Sequence, residues 1–355
     1  MSQISVPRSR LYTALWARGV DLSRELREDS PPPTAPAMDD FVKLDTSLTD
    51  RIQETTGFDA NFLTKEPIDL PDPNMFQNID RQPKTDEQHK LLQAHVALTA
   101  ELHNVLRQKF NYPLPDLPNF SGKDPSQTAH KVRHLWKLDQ PRIPNSIQLL
   151  ESKGVNVFGL PLGSTTSFRT LINESPCVFA SLDIPPEWVR VAMIKHLGHM
   201  LLFPDDNNNQ GNVQRKLADF VFEFLIPGDL LQDFVRESSF YRDFVRVAEG
   251  FRVPVQLVIR RAFELEIIGY GKCMDLSERS DISKPPLGLP YERSRVFDVV
   301  TDMEDGIDSL VEETAIPKDI VGTLMLGSYP TAVFGTSMQK TYLRRPSYAN
   351  LHVVK

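Results

Sequence analysis

Between Pro186 and Phe203 the chain reads as one apolar helix, and its second half is Ile194-Lys195-His196-Leu197-Gly198-His199-Met200-Leu201-Leu202-Phe203. A second apolar helix, from about Val213 to Leu225, follows a polar loop at Asp205-Asp206-Asn207-Asn208-Asn209-Gln210-Gly211. Both are apolar-faced, so we expect them to pack on each other. In the first helix His196 and His199 stand three apart and face roughly the same side. A metal site on that pair would need an oxygen ligand, with Asp205, Asp206, Asp219 and Glu223 as candidates. H-x-x-H alone lacks the further ligands and the base that a hydrolytic zinc requires. The favoured reading is therefore a satisfied core histidine at 199 and a partly exposed one at 196.

The chain has 355 residues, 40% of them hydrophobic and 25% charged, enough for one substantial core with satellite modules. A net charge of -7 gives no global footprint for nucleic acid or an anionic membrane. Two distant cysteines, Cys177 and Cys273, form neither a disulfide framework nor a cysteine zinc site. The N-terminus carries Arg8, Arg10, Arg18, Arg24 and Arg27 without a continuous apolar stretch, and no run approaches a membrane span in length. A cytoplasmic setting is expected.

Along the chain, Leu11, Leu15, Leu22 and Leu26 fall at helical spacing around Gly19, which predicts a helix-turn-helix over residues 9–28. It stops at the proline-rich Ser30–Pro36 stretch. Helices are predicted over 39–56, closed by Gly57, and over 85–111. Pro113, Pro115, Pro118 and Pro125 mark a linker. Helices at 126–136 and 146–153, with Gly154 as terminator, precede strands at 155–160, 167–172 and 177–182. Further helices are predicted near 228–248 and 254–267.

Set against the zinc-peptidase helix H-E-x-x-H, the 195–199 segment keeps the second histidine, has Lys195 at the first ligand and has His196 at the base. The wider pattern resembles the ImmA/IrrE family of metallopeptidase-like proteins, in the long form fused behind an XRE-type helix-turn-helix. Ile147–Val157 resembles the family's helix-into-strand entry, Arg190–Leu202 its R-F-T-x-A-H-E-L-G-H-x-L-L helix, and Ala218–Pro227 its A-N-x-F-A-x-x-L-L-M-P helix. Val247–Pro254 through Arg260–Leu265 resembles its downstream helical pair. The resemblance implies an α+β, mostly helical fold: a zincin-like core with a small sheet over 119–271. A reduced helix-turn-helix at 1–37, a helical connector at 38–118 and a C-terminal module of unknown type at 272–355 complete the division. The family's third metal ligand is an acidic residue ahead of the second helix, where Val213-Gln214-Arg215-Lys216-Leu217 offers none. The resemblance thus implies a family body whose catalytic centre is dismantled, with no catalytic residue and no cofactor; zinc on His196 and His199 is the alternative.

The former site positions are Lys195, His196 and His199, and a retained binding cleft is expected around Arg190, Asp219 and Glu223. Lys195 either replaces the lost cation and pairs with Asp219 or Glu223, or turns out to solvent. Trp188, Phe203, Phe220, Phe222 and Phe224 read as core rather than a peptide groove. Cys177 reads as a small buried hydrophobe. Gly159-Leu160-Pro161-Leu162-Gly163 lacks a phosphate-loop pattern. The expected function is a regulatory or protein-binding module acting with a helix-turn-helix repressor or a toxin–antitoxin partner, in a phage or mobile-element setting. An active zinc endopeptidase with a shifted site and a DNA-binding regulator are the rivals. For the latter, the break at Ser30–Pro36 and the acidic Asp39-Asp40 stand where a recognition helix is needed.

Overall fold

Local signals start most of the helices. The computed structural model describes residues 3–20, 40–78, 85–138, 140, 142–162, 167–204, 211–280, 287 and 289–326. It opens with β1 (Gln3–Pro7) and α1 (Arg8–Ala17), then β2 (Phe41–Asp45), α2 (Thr46–Thr56), α3 (Ala60–Leu63), β3 (Gln77–Asn78) and α4 (Asp86–Lys109). There follow α5 (Pro125–Leu135), α6 (Ser146–Ser152), β4 (Asn156–Leu160), β5 (Ser167–Ile172), β6 (Ser175–Ser181), α7 (Pro186–Leu202) and α8 (Gly211–Leu225). The remainder is helical: α9 (Gly228–Phe234), α10 (Tyr241–Phe251), α11 (Val255–Glu264), α12 (Tyr270–Arg279), α13 (Arg295–Asp302), α14 (Gly306–Thr314) and α15 (Lys318–Leu324). Thr85, Asp124 and Asn145 cap α4, α5 and α6 by accepting from the backbone N–H three residues on. Gly154 ends α6 at φ +75°, and a Cβ there would strike the Leu114 backbone. The fold is α+β and mostly helical.

A four-stranded sheet runs in the order β3-β5-β6-β4, with β4 parallel to β6 and the other pairs antiparallel. β4 is buried on both faces along its whole length and β6 from Cys177 onward. Phe158, Leu160, Phe168, Cys177 and Phe179 point into one core, shared with Leu11 and Leu15 of α1, Leu98 and Leu102 of α4, and Phe297, Ile320 and Leu324 from the C-terminal helices. Val157, Val178 and Ala180 point into the other, with residues of α5 through α12. Alternation along a strand sends successive side chains to opposite faces, which divides the molecule into these two layers. The three segments expected at 1–37, 38–118 and 272–355 therefore contribute to one core.

Several expectations are corrected. The helix predicted over 39–56 begins only at Thr46: residues Phe41–Asp45 pair antiparallel with Gln3–Pro7, and Asp45 caps the helix at Leu48. The predicted 228–248 helix is two, α9 and α10, separated by Val235–Phe240. Of the predicted helix-turn-helix, α1 is preceded by a strand and buried on every side from Ser9 to Ala17, so it presents no face to DNA; the second helix, with Leu22 and Leu26, lies outside the described residues, as does the Ser30–Pro36 break. Among the described residues no helix is long and apolar enough to cross a membrane.

Gly159 on β4 lies where a Cβ would come within 2.8 Å of the Thr323 carbonyl oxygen and 2.9 Å of the Leu326 Cα. Both are backbone-borne, so neither can rotate away. Gly159→Val is expected to cost about 1–3 kcal/mol by forcing α15 off the sheet, read as a lower midpoint in chemical denaturation.

His95 and His103 are buried on α4, and burial holds each imidazole down to about 4. Unfolded, each returns to about 6.5, so between these values the unfolded chain binds more protons and stability falls as pH falls. The denaturation midpoint should decline from pH 7 to pH 5. The decline should shrink in His103→Phe, whose ring can keep the edge contacts with Tyr112 and Phe158; an unchanged decline would remove His103 from the explanation.

Candidate functional site

The helix α7 is held between α8 and the sheet. Gly198 permits the close approach: a Cβ there would fall 2.6 Å from the Phe220 ring of α8. The expected packing of the two apolar helices is thus present. On its other side α7 meets β5 and β6, and the period of two along β5 aims Ser167 and Arg169 toward the helix while Phe168 enters the opposite core.

His196 is fully buried, not partly exposed, and its Nε2 lies 2.8 Å from the Ser167 Oγ. Burial first, then the positive charge of Arg169, holds its imidazole well below the ordinary histidine range, so the ring is neutral at pH 7. His199, also buried, receives an N–H of the Arg169 guanidinium at 2.7 Å on Nδ1. A guanidinium has donors only, so Nδ1 contributes its lone pair and the neutral ring carries its proton on Nε2. Arg169 also donates to Gln77 Oε1 at 2.6 Å, a residue directly opposite it on β3. Burial lowers its pKa to about 10, which leaves it charged at neutral pH.

These residues do not fit a zinc ion. Neutral His199 has a single in-plane lone pair, on Nδ1, and it is committed to Arg169 while Nε2 carries the proton; a guanidinium at this distance also repels a divalent cation. Among the described residues no three His, Cys, Asp or Glu side chains are gathered as for a metal.

Lys195 is half-buried. Glu223 is engaged by Arg261, by His130 at 2.9 Å and by the Gly228 N–H at 3.2 Å. Burial raises the Asp219 carboxyl, and the positive charges of Arg215 and Arg261 work against that rise. Arg190 points elsewhere, to Glu292 and the Ile143 carbonyl, and Glu292 also takes the Ser146 N–H at 2.8 Å. Arg190 and Glu223 of the expected cleft thus have separate sets of partners. Phe220, Phe222 and Phe224 are core, Trp188 and Phe203 are partly buried against it, and Cys177 is buried with its thiol pushed up to about 12.

Sequence reasoning missed Ser167, Arg169 and Gln77. The available signal was an arginine in the middle of a short strand, flanked by Phe168 and Thr170. A charge there needs a buried partner.

Arg169→Gln should let the His196 imidazole rise, because a neighbouring positive charge is removed, yet leave it below 6.5 because burial is the larger cause. NMR titration of the imidazole would show this, and an unmoved His196 would mean that Arg169 does not control the site.

Compared with protein-family models, with curated proteins and with solved structures, the chain matches none.

Proposed function

We propose that this chain is a catalytically degenerate ImmA/IrrE-like module with a zincin-like core, acting in the cytoplasm by binding a protein partner. One observation carries the loss of catalysis: the Arg169 guanidinium donates to the histidine that stands at the second zinc-ligand position. It supports a site converted from holding a cation in solution exchange to holding a covalently attached one. Lys195 at the first ligand position and His196 on Ser167 agree with that reading. The partner class is a helix-turn-helix repressor or a toxin–antitoxin protein, as the resemblance implies, and the module would bind it without cutting it. The rival zinc endopeptidase needs a lone pair on His199 that Arg169 engages.

The purified protein should hold far less than one zinc per chain. Rebuilding the motif with Lys195→His and His196→Glu should give at most weak zinc binding, and adding Arg169→Ala should tighten it by about tenfold or more through removal of a like charge. Calorimetric titration with zinc distinguishes the variants. Stoichiometric, chelator-removable zinc in the unmodified protein, with cleavage of a captured repressor, would overturn the proposal; a captured repressor left intact supports it.

A further inference from the structure

We propose that the groove between α9 and α10 is a docking site for a short acidic peptide segment of a partner protein, anchored by one apolar side chain. The groove encloses about 370 Å³ and is lined by Phe234, Val247, Gly250 and Phe251, with Arg142 and Arg246 among its polar groups. That volume lies within the range of pockets that hold a small ligand or a few side chains. It is too small to seat a folded surface.

Two features set this place apart. First, apolar surface is exposed: Phe234 is 56% accessible, although its ring also meets the Phe251 ring edge-on at 6.3 Å. Second, positive charge collects here on a chain whose net charge is -7. Arg142 and Arg246 line the groove. Arg242 lies over the Phe240 ring at 5.4 Å. The lining carboxylate, Asp243, accepts the Phe240 N–H at 2.8 Å and lies 3.9 Å from Arg242 and 4.0 Å from Arg246. It offsets one of the two lining charges and leaves an excess of one guanidinium, a group that binds a carboxylate through paired N–H donors. An apolar floor with cationic edges selects an apolar anchor flanked by acidic residues. Nucleic acid is disfavoured, since the chain is acidic and the groove offers depth rather than an extended stacking track.

Gly250 makes the groove open. It sits in α10, and a Cβ added there meets nothing within 4 Å, so a larger side chain would project into the empty space. This surface belongs to α9 and α10 and not to β5 and α7, so its fate is separate from that of the metal-site reading.

The test is selection of a random twelve-residue peptide display library on the full chain, followed by fluorescence anisotropy with the enriched peptide. Enriched sequences should carry an aromatic or aliphatic residue flanked by Asp or Glu. Binding should weaken with salt and fall by about tenfold or more in Gly250→Trp and in Arg246→Glu, while Gly250→Ala binds as the parent does. Arg246 is largely exposed, so Arg246→Glu keeps the test decisive if Gly250→Trp fails to fold. Failure to enrich peptides, enrichment without carboxylates, or binding indifferent to both substitutions would overturn the proposal. Displacement of the peptide by single-stranded DNA would reassign the groove to nucleic acid, and self-association abolished by Arg246→Glu would reassign it to a second copy of the chain; either overturns it.

Discussion

The rest of the structure depends on a sheet that is covered on both faces. Along β4 and β6, Phe158, Leu160, Cys177 and Phe179 alternate with Val157, Val178 and Ala180, and every one is buried. Such a sheet is stable only between two covering layers. One layer, α5 through α12, is nearly continuous in sequence. The other must be gathered from α1, α4 and α13–α15, which are far apart along the chain. Burying each large side chain on that face contributes roughly 1.5–3 kcal/mol, so Phe158, Phe168 and Phe179 account for much of the attraction that brings the distant helices together.

The same alternation sets the chemistry of the site. β5 lies beside β6 and so must send one side chain in two toward α7. Ser167 and Arg169 occupy those positions and meet the two histidines. An arginine buried beside neutral partners carries a desolvation cost of several kcal/mol, which the Gln77 oxygen and the His199 nitrogen offset only in part. The cost is tolerable because both histidines stay neutral: a protonated ring here would add a second buried positive charge. The low proton affinity of His196 and the presence of Arg169 are therefore one arrangement.

Much of this fold was legible because its signals are local. Gly154 marks the end of α6 by chemistry confined to a few residues, and the apolar runs of α7 and α8 are plain in the sequence. The pairing of Gln3–Pro7 with Phe41–Asp45 was not legible, since it joins segments more than thirty residues apart and each alternation is only two apolar residues long, Ile4 and Val6 in one and Val42 and Leu44 in the other. In the site, Lys195, His196 and His199 were found through their spacing on a helix. Arg169 was hidden because a strand residue faces either side according to register, and register is a tertiary property. A buried cation was sought in Lys195, and the one that donates to His199 is Arg169.

The Arg190–Glu292 pair shows how α7 is tied to the opposite layer. Glu292 stands just ahead of α13, in the stretch that carries the chain to the C-terminal helices, and it accepts from Arg190 of α7 and from the Ser146 backbone at the start of α6. Tyr291 beside it donates to the Ile184 carbonyl at 2.8 Å. Apolar contacts alone would let this segment slide, because hydrophobic attraction has no direction. A carboxylate shared between a buried guanidinium and a helix N-terminus has a single satisfactory position, and removing one partner leaves the other charge buried and uncompensated, at a cost of about 3–5 kcal/mol. The pair therefore sets the register of the C-terminal helices against the sheet, and that register brings α15 onto Gly159, where there is room for no side chain.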